Sequence, residues 1–397
     1  MTRWLPHLGF LLAILLVPAL THRYLWVRLV RDTALPEPWR RVATVALVVL
    51  SASLTLAFFL PRILSPSALR AFRWPAYVWM GLFFFLLVVV ALGDGIRLVA
   101  WLASKISSGA AQGAERRLFL RRTVGAVATA FATGAGVLAL WGARKRLVVK
   151  NVPVTLRRLP AALDGTTIVQ ITDMHVGDLL GRSFVEEVVR VVNTLDADVV
   201  VITGDLVDAS VSHLRAAIAP LKGLSSKRGV FFVTGNHEYI VSLDARGAEE
   251  WIEELSRLGI RTLANERVSI GDADASFDLA GVHDSNAAGF TRGAHREDVS
   301  RALAGRDPSR EVVLLAHQPR ALAEAVRHGV GLQLSGHTHG GQIWPFGFLV
   351  ALTQPILAGL GRRGETQIYV SRGTGFWGPP MRLGNPAEVT RIVLRSG

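Results

Sequence analysis

Cysteine is absent from this 397-residue chain, which excludes disulfide bonds, thiolate metal sites and cysteine nucleophiles. Charged residues are also scarce: Asp, Glu, Lys and Arg make up 19% of the sequence, whereas hydrophobic residues make up 50%. A chain of this length holds either two soluble domains or a membrane region and one sizeable domain. The hydrophobic excess favours the second arrangement.

Four long apolar stretches lie in the first part of the chain, at residues 5–20, 42–60, 76–93 and 124–142. Each is close to the roughly 20 residues that cross a bilayer as a helix. Buried helices of a soluble core are the alternative, but such helices keep a polar stripe, and the run 80–92 has none. We therefore predict four transmembrane helices in a membrane region of residues 1–148, with the first span the shortest.

A basic excess is absent from the second part of the chain, although the whole chain has a formal net charge of +13. Residues 1–150 hold 19 Lys and Arg against 4 acidic residues, whereas the remainder holds 25 basic and 27 acidic residues, a net charge of −2. The positive charge therefore belongs to the flanks of the spans, where Arg meets lipid headgroups. Nucleic acid requires a basic surface, so we expect membrane lipids as partners and no nucleic acid.

Five short apolar runs recur after residue 150, each with four to six mostly β-branched or aromatic residues between turn-forming residues. The runs begin at Thr167, Asp198, Val230, Glu311 and Leu332. They predict buried strands, and the amphipathic stretches 183–195 and 246–258 predict helices between them. This alternation indicates a layered α/β domain over residues 149–397.

Each of these runs is followed by Asp, Asn or His. The residues concerned are Asp173, His175, Asp205, Asn236, His237, His317, His337 and His339. Sites in layered α/β folds form beyond the carboxyl ends of strands, so we expect the eight side chains to converge. Carboxylate, imidazole and amide ligands without thiolate suit Mn, Fe or Zn, and eight groups exceed the needs of one ion. Two ions would lower the pKa of a bridging water and orient the resulting hydroxide for attack on phosphorus.

The loop 334–345 is the most specific of these motifs, because His337 and His339 are two residues apart among glycines. Side chains in such a loop bury no apolar surface and cap no helix. Asp-x-His or Gly-Asp alone is usually an ordinary turn. The five motifs together, in this order and each after a strand, indicate a metal site.

Residues from about 160 to 397 resemble the calcineurin-like metallophosphoesterase family, whose motifs are D-x-H, GD, GNH[ED], H and GHxH in that order. All five are present here. The extended loop GHTHGGQ, with an ending that contains Pro380, Arg382 and Glu388, is similar to the membrane-associated bacterial branch of the family. The resemblance implies an α/β fold in four layers, an αββα sandwich of two mixed sheets, with the site at its edge.

The resemblance also implies a role for each site residue. One ion would be held by Asp173, His175, Asp205 and His339. The other would be held by Asp205, Asn236, His317 and His337, so that Asp205 bridges the two. His237 is the implied catalytic residue: it lies beside the metals and donates a hydrogen bond to the developing charge or a proton to the leaving oxygen.

These features predict a membrane-anchored phosphoesterase with two divalent ions, which hydrolyses phosphate mono- or diesters of a small molecule or lipid near the bilayer. Two alternatives remain open. One, also by resemblance, is a UDP-2,3-diacylglucosamine pyrophosphohydrolase of lipid A synthesis, whose substrate lies at the inner face. The other is a non-catalytic membrane protein that uses its metals structurally or as a sensor.

The side of the membrane is not decided by positive-inside counting, because ten basic residues flank each face. The segment 116–121 resembles a twin-arginine export signal, although it is internal rather than N-terminal. Such signals precede domains that are exported already folded. We therefore expect a multi-pass protein of the bacterial inner membrane with an extracytoplasmic catalytic domain.

Other features have ordinary explanations. The stretch 272–278 mimics the start of a calcium loop, but Phe277 and His283 occupy positions that need Gly and Glu, so a solvated hairpin turn is favoured. His283 and Asp284 follow an apolar run and are a candidate pair facing the substrate. Surface positions are expected for His213, Arg292, His295, Arg296 and His328.

Four aromatic residues near the last motifs are Trp344, Phe346, Phe348 and Trp377. Core packing is the default for aromatic side chains, with the rim of the site or contact with lipid as alternatives.

Overall fold

A computed structural model of the chain describes residues 5–60, 64–106, 113–240 and 245–397. The chain divides into two units, Met1–Trp141 with Gly378–Met381 and Gly142–Trp377 with Arg382–Gly397. The sequence-based domain boundary between residues 148 and 149 stays a prediction.

Four long helices lie in the described part of the first unit. They are α1 Leu5–Trp26, α2 Trp39–Phe59, α3 Pro66–Ile106 and α4 Ala114–Ala143. All four contain a segment long and apolar enough, by length and composition, to cross a membrane. Helix α3, with 41 residues, extends well beyond the predicted stretch 76–93. Helical hydrogen bonds continue through polar residues, whereas hydropathy identifies only the apolar part of a helix.

The first sheet of the second unit has six strands in the order β1-β12-β2-β3-β4-β5. They are β1 Val148–Leu156, β2 Thr167–Ile171, β3 Val199–Thr203, β4 Val230–Val233, β5 Arg261–Thr262 and β12 Glu388–Ser396. Strands β2 to β5 are parallel to one another, and β12 is antiparallel to β2 but parallel to β1. The sheet is therefore mixed.

The second sheet also has six strands, in the order β10-β11-β9-β8-β7-β6. They are β6 Glu266–Gly271, β7 Ser276–Gly281, β8 Val312–Leu315, β9 Leu332–Ser335, β10 Gly359–Arg363 and β11 Thr366–Val370. Strands β7, β8, β9 and β11 are parallel, and the edge strands β6 and β10 are antiparallel to their neighbours. Strands β6 and β7 form a hairpin, so the turn predicted at 272–278 is present. It is shorter than predicted, because residues 276–278 belong to β7 and Phe277 is buried.

Short helices connect the strands of both sheets. They are α5 Arg182–Asn193, α6 Val211–Ile218, α7 His237–Ile240, α8 Ala245–Arg257, α9 Ala287–Thr291, α10 Val299–Ala302, α11 Leu322–Arg327 and α12 Gly347–Val350. Helices α5 and α8 lie where the amphipathic stretches predicted helices.

Two sheets and two helical layers result from the alternation of side chains along each strand. In β3, Val199 and Val201 lie in the core between the sheets, whereas Val200 lies in the core beneath α5, α6 and α8. In β8, Val313 faces the other sheet and Leu314 faces α10 and α11. This arrangement confirms the predicted αββα sandwich.

Candidate metal centre

The predicted ligands lie at the carboxyl ends of five strands, three from the first sheet and two from the second. Three groups of side chains offer ligand atoms that all lie within 4.8 Å of one another. The groups are Asp173, His175 and His339; His175, Asp208 and His237; and Asp205, His317 and His337. Since parallel strands end at the same edge of a sheet, short loops suffice to bring these groups together.

Asp205 lies within reach of the ligands on both sides of the site. Its Oδ2 atom is 3.1 Å from His317 Nε2 and 3.9 Å from His175 Nε2. His175 Nε2 is in turn 3.1 Å from His339 Nε2, and the latter is 3.4 Å from Asp173 Oδ1. Asp205 therefore lies between the ligand atoms of His317 and those of His175.

Two buried polar atoms of the predicted ligands have no hydrogen-bond partner, Asn236 Oδ1 and His317 Nε2. Buried polar atoms in native proteins are nearly always paired, so each requires an explanation. His317 Nδ1 lies 2.8 Å from the carbonyl oxygen of Thr203, which can only accept, so Nδ1 carries a proton and Nε2 is the atom directed at the predicted metal site. Burial opposes protonation of His317, but Asp205, whose Oδ2 lies 3.1 Å from Nε2, outweighs it and raises the pKa of His317 well above its usual value. A cation bound between the two atoms would take the place of the Nε2 proton.

Five of the predicted ligands have left-handed backbone conformations. These are Asp173 (φ 51°), His175 (φ 46°), Asp205 (φ 49°), His337 (φ 71°) and His339 (φ 51°). Residues with a Cβ atom adopt this region rarely, at a cost on the order of 1–3 kcal/mol each. Strain repeated at one site is typical of functional centres, where the surrounding structure holds side chains in place.

Two glycines allow the ligand loops to approach each other. A Cβ atom at Gly235 would collide with Asp205 Oδ1, and one at Gly336 would collide with Asp173 Oδ2 and Thr172 Oγ1. Only glycine permits such close approach of backbone to a carboxylate.

The carboxylates also fix the loops of their neighbours. Asp173 accepts hydrogen bonds from Thr172 Oγ1 (2.7 Å) and from the backbone N–H of His337, 2.9 and 3.0 Å from its two oxygens. Asp205 Oδ1 accepts the backbone N–H of His237 at 2.8 Å. Asp173, which follows β2 of the first sheet, therefore holds the loop of His337, which follows β9 of the second sheet.

Asp208 is a site residue that the sequence analysis missed. Its Oδ1 atom lies 2.8 Å from Nδ1 of His175 and 2.8 Å from Nδ1 of His237. A carboxylate oxygen accepts from both rings, so Nδ1 of each ring carries a proton and Nε2 is the atom left for a further partner. Its position three residues after Asp205 was the only signal in the sequence.

Charges around the site separate the histidines into two kinds. Burial opposes protonation of His237, but Asp205 and Asp208 outweigh it and raise the pKa of His237 to about 9. Burial and the neighbouring His317 lower the pKa of His337 to about 3. A protonated His237 donates hydrogen bonds, whereas a neutral His337 is the form that binds metals.

Glu238 is the last residue of the GNH[ED] motif and has no role in the sequence analysis. Its carboxylate accepts backbone N–H groups from Gly235 (2.6 Å), Leu206 (2.7 Å) and Asp205 (3.2 Å). Burial and the charge of Asp205 raise the pKa of Glu238 to about 7. Glu238 therefore joins the loops that follow β3 and β4.

Arg382 is a second residue without a role in the sequence analysis. Its buried guanidinium donates to the carbonyl oxygens of Arg372 (2.9 Å) and Gly375, and its Nη2 lies 3.3 Å from His339 Nδ1. It supports the outer side of the His339 ring.

The candidate pair His283 and Asp284 lies behind the predicted ligands. Asp284 accepts a hydrogen bond from Gln318, the residue after His317, at 2.8 Å. His283 Nδ1 lies 3.0 Å from the hydroxyl of Tyr239, and its ring stacks on His295 with centroids 4.5 Å apart. The surface position predicted for His295 is therefore wrong, because this stacking leaves its side chain only 17% exposed. His213, Arg292 and Arg296 are exposed as predicted, and His328 is half-buried.

The prediction that the four aromatic residues pack in the core is wrong. Trp344, Phe346, Phe348 and Trp377 are 52%, 44%, 71% and 54% exposed. The side chain of Gln342 bonds the backbone N–H and carbonyl of Trp377 at 3.0 and 2.9 Å, and the Trp377 ring lies edge-on to His237 at 5.8 Å. Trp377 therefore lies at the rim of the site.

Comparison with known proteins identifies the family. Residues 166–341 match the model described as calcineurin-like phosphoesterase. The chain is 36% identical over 378 residues to a transmembrane protein with metallophosphoesterase domain from Bos taurus, which covers 92% of this chain and 82% of that protein. A protein of the same description from Danio rerio is 35% identical over 404 residues and covers 97% and 89%. An uncharacterized metallophosphoesterase from Helicobacter pylori strain J99 is 42% identical over 250 residues and covers 62% and 63%.

The two vertebrate alignments extend over nearly the whole chain, so the likeness includes the apolar helices and reaches beyond bacterial proteins. The predicted membrane association and the predicted family are confirmed. The chain therefore belongs to the calcineurin-like metallophosphoesterase family and is a membrane-associated, metal-dependent phosphoesterase.

Proposed function

We propose that this chain hydrolyses phosphate mono- or diesters with two divalent ions. One ion is assigned to Asp173, His175, Asp205 and His339, and the other to Asp205, Asn236, His317 and His337. The position of Asp205 Oδ2, 3.1 Å from His317 and 3.9 Å from His175, carries this proposal. The donors are oxygen and imidazole nitrogen, which suit Mn, Fe or Zn. When bound, the pair supplies a water of lowered pKa and a clamp for phosphoryl oxygens.

His237 is the catalytic residue in this proposal. Its Nδ1–H is directed at Asp208 (2.8 Å), which leaves Nε2 for the substrate. The hydrogen bond to Asp208 stabilises the protonated ring, which donates a hydrogen bond to a phosphoryl oxygen or a proton to the leaving oxygen. Asp208 acts through His237 and His175 by fixing the orientation of both rings.

A membrane-proximal substrate is supported by the four helices that are apolar enough to span a membrane. The net charge of −2 after residue 150 disfavours nucleic acid, so the substrate is a small molecule or a lipid. Residence in a bacterial inner membrane, with the catalytic domain outside the cytoplasm, stays a prediction. The lipid A pyrophosphohydrolase alternative also stays a prediction.

The test of the proposal uses the purified full chain in lipid nanodiscs. Metal analysis is expected to give two divalent ions per chain, and aryl phosphate mono- and diesters are expected to be hydrolysed in a chelator-sensitive reaction. A panel of phospholipids and sugar nucleotides then identifies the substrate class. Protein with only trace metal after reconstitution, or metal-replete protein inert on every phosphoester, would overturn the proposal.

The side of the membrane is tested separately by reporter fusion at the C-terminus. An extracytoplasmic domain predicts activity of a periplasmic phosphatase or β-lactamase reporter. Activity of a cytoplasm-only reporter alone would place the domain inside.

A further inference from the structure

Large exposed hydrophobic side chains of the second unit are concentrated in one stretch, residues 344–360, which we call the apolar loop. They are Trp344 (52%), Phe346 (44%), Phe348 (71%), Leu349 (56%), Leu352 (80%) and Leu360 (47%). Elsewhere in the described residues of this unit, comparable exposure occurs at Val148, Val149, Ile240 and Trp377. Exposed apolar patches of this density mark an interaction surface.

The apolar loop has a defined structure that presents these side chains outward. Helix α12 and the turns beside it are hydrogen-bonded, as in Leu349 N to Phe346 O at 2.9 Å, yet the helix has no buried residue. Thr338, between the two histidines of the metal loop, donates to the carbonyl of Leu357 at 2.6 Å. The loop is therefore fixed to the metal centre, and its exposure is built into the fold.

The charge of this region indicates what it contacts. No acidic residue occurs in the sequence between Glu324 and Glu365, and two exposed arginines follow the apolar loop directly. Arg362 pairs with Glu365 at 3.3 Å, whereas Arg363 has no ion pair among the described residues. Aromatic and aliphatic tips flanked by Arg are typical of segments that enter the headgroup region, where Arg meets lipid phosphates. This combination is complementary to an anionic bilayer surface.

We propose that the apolar loop inserts into the headgroup region of an anionic phospholipid bilayer, with Phe348 and Leu352 deepest. The expected depth is about 5–10 Å, as for other interfacial segments. A bilayer is the partner chosen for this surface, because the same chain carries four helices apolar enough to span one. This inference goes beyond the proposed function, since insertion does not depend on turnover.

The absence of cysteine makes the test direct, because one introduced thiol is the only one in the full chain. Phe348→Cys carries an environment-sensitive fluorophore, and Leu352→Cys is the second reporting position. Glu253→Cys on α8, where the side chain is 70% exposed, is the matched control. Each protein is reconstituted in nanodiscs of phosphatidylcholine and phosphatidylglycerol.

Insertion predicts that lipids with a nitroxide near the glycerol quench the labels at 348 and 352 but not at 253, whereas aqueous iodide quenches only the control. Nanodiscs without phosphatidylglycerol are expected to reduce nitroxide quenching at both loop positions. Iodide quenching at all three positions without nitroxide quenching would overturn the proposal. Protection from iodide without nitroxide quenching would also overturn it, because it would identify a protein, such as a second copy, as the occupant.

Discussion

The interiors and the carboxyl ends of the same strands differ in almost every physical respect. In β2, Ile168 lies in the apolar core between the sheets, whereas Asp173, five residues later, is buried and has a positive φ angle. The strand interiors are regular and mostly apolar, although β2 and β9 each bury one glutamine, Gln170 and Gln333. Their ends hold charged groups and strained backbone. The comparison indicates that the interior of each strand provides stability, while the residues after its carboxyl end provide the site. The rigid interiors hold the strained ends in place.

The largest expected effect is the loss of the shared carboxylate in Asp205→Asn. The amide oxygen can still accept the N–H of His237, but the negative charge between the two ligand groups is lost. We expect no detectable phosphoesterase turnover and a reduced metal content by elemental analysis. If this variant had the metal content and turnover of the wild type, Asp205 would not be a metal ligand.

His237→Ala separates catalysis from metal binding. We expect turnover to fall about 10²–10⁴-fold, since a positioned acid typically contributes that much, while metal content stays at the wild-type level. Steady-state kinetics and elemental analysis of the same preparation measure both. Turnover equal to that of the unmodified chain would remove the catalytic role.

Asp208→Asn tests the residue that holds both rings. The amide keeps the size of the side chain but cannot accept two N–H groups on one charged oxygen, so the rings of His175 and His237 lose their common anchor. We expect turnover or metal affinity to fall about 10–100-fold. An unchanged pH profile, kcat and metal affinity would leave Asp208 without a positioning role.

The interior of a strand is expected to behave in the opposite way. Leu279 on β7 is fully buried between the sheets, so Leu279→Ala leaves a cavity and lowers Tm by roughly 5–20 °C. Below its Tm, turnover per folded molecule is expected to match the unmodified chain. A selective loss of turnover at unchanged Tm would contradict the division between interior and end.

The smallest effect is expected at the turn that mimics a calcium loop. Asp272 is 80% exposed and lies 3.4 Å from Arg228, a surface pair of small energy. Asp272→Ala is expected to change stability by less than about 0.5 kcal/mol, and calcium should not raise the Tm of either protein. A calcium-dependent rise in Tm that disappears in the variant would identify an ion site in the turn.

The strands and the ligands were predictable because they follow local rules. All five predicted runs are strands, β2, β3, β4, β8 and β9, since short buried strands have a composition that is visible without the partner strands. The predicted ligands follow them because parallel strands share one edge. Whether each ligand has its assigned role stays a prediction for the variants above to test.

The rest depends on contacts that local sequence does not specify. Asp208 becomes part of the site only because His175 and His237, 33 residues and 29 residues away, fold against the same oxygen. Strand β12 lies between β1 and β2 in the sheet although it is more than 200 residues away from both in the sequence. Its own residues do not indicate which strands it pairs with. The exposure of the four aromatic residues was not predicted, because aromatic side chains are usually buried. In the described residues no other element covers their exposed faces.

The two glycines of the ligand loops show how little alteration this centre tolerates. Gly336→Ala adds a single methyl group, removes no donor atom, and directs that group at the carboxylate of Asp173. One added carbon atom is thus expected to inactivate a protein that keeps all seven predicted metal ligands. The missing side chain at one point beside each sheet is therefore as necessary to this arrangement as the groups that surround it.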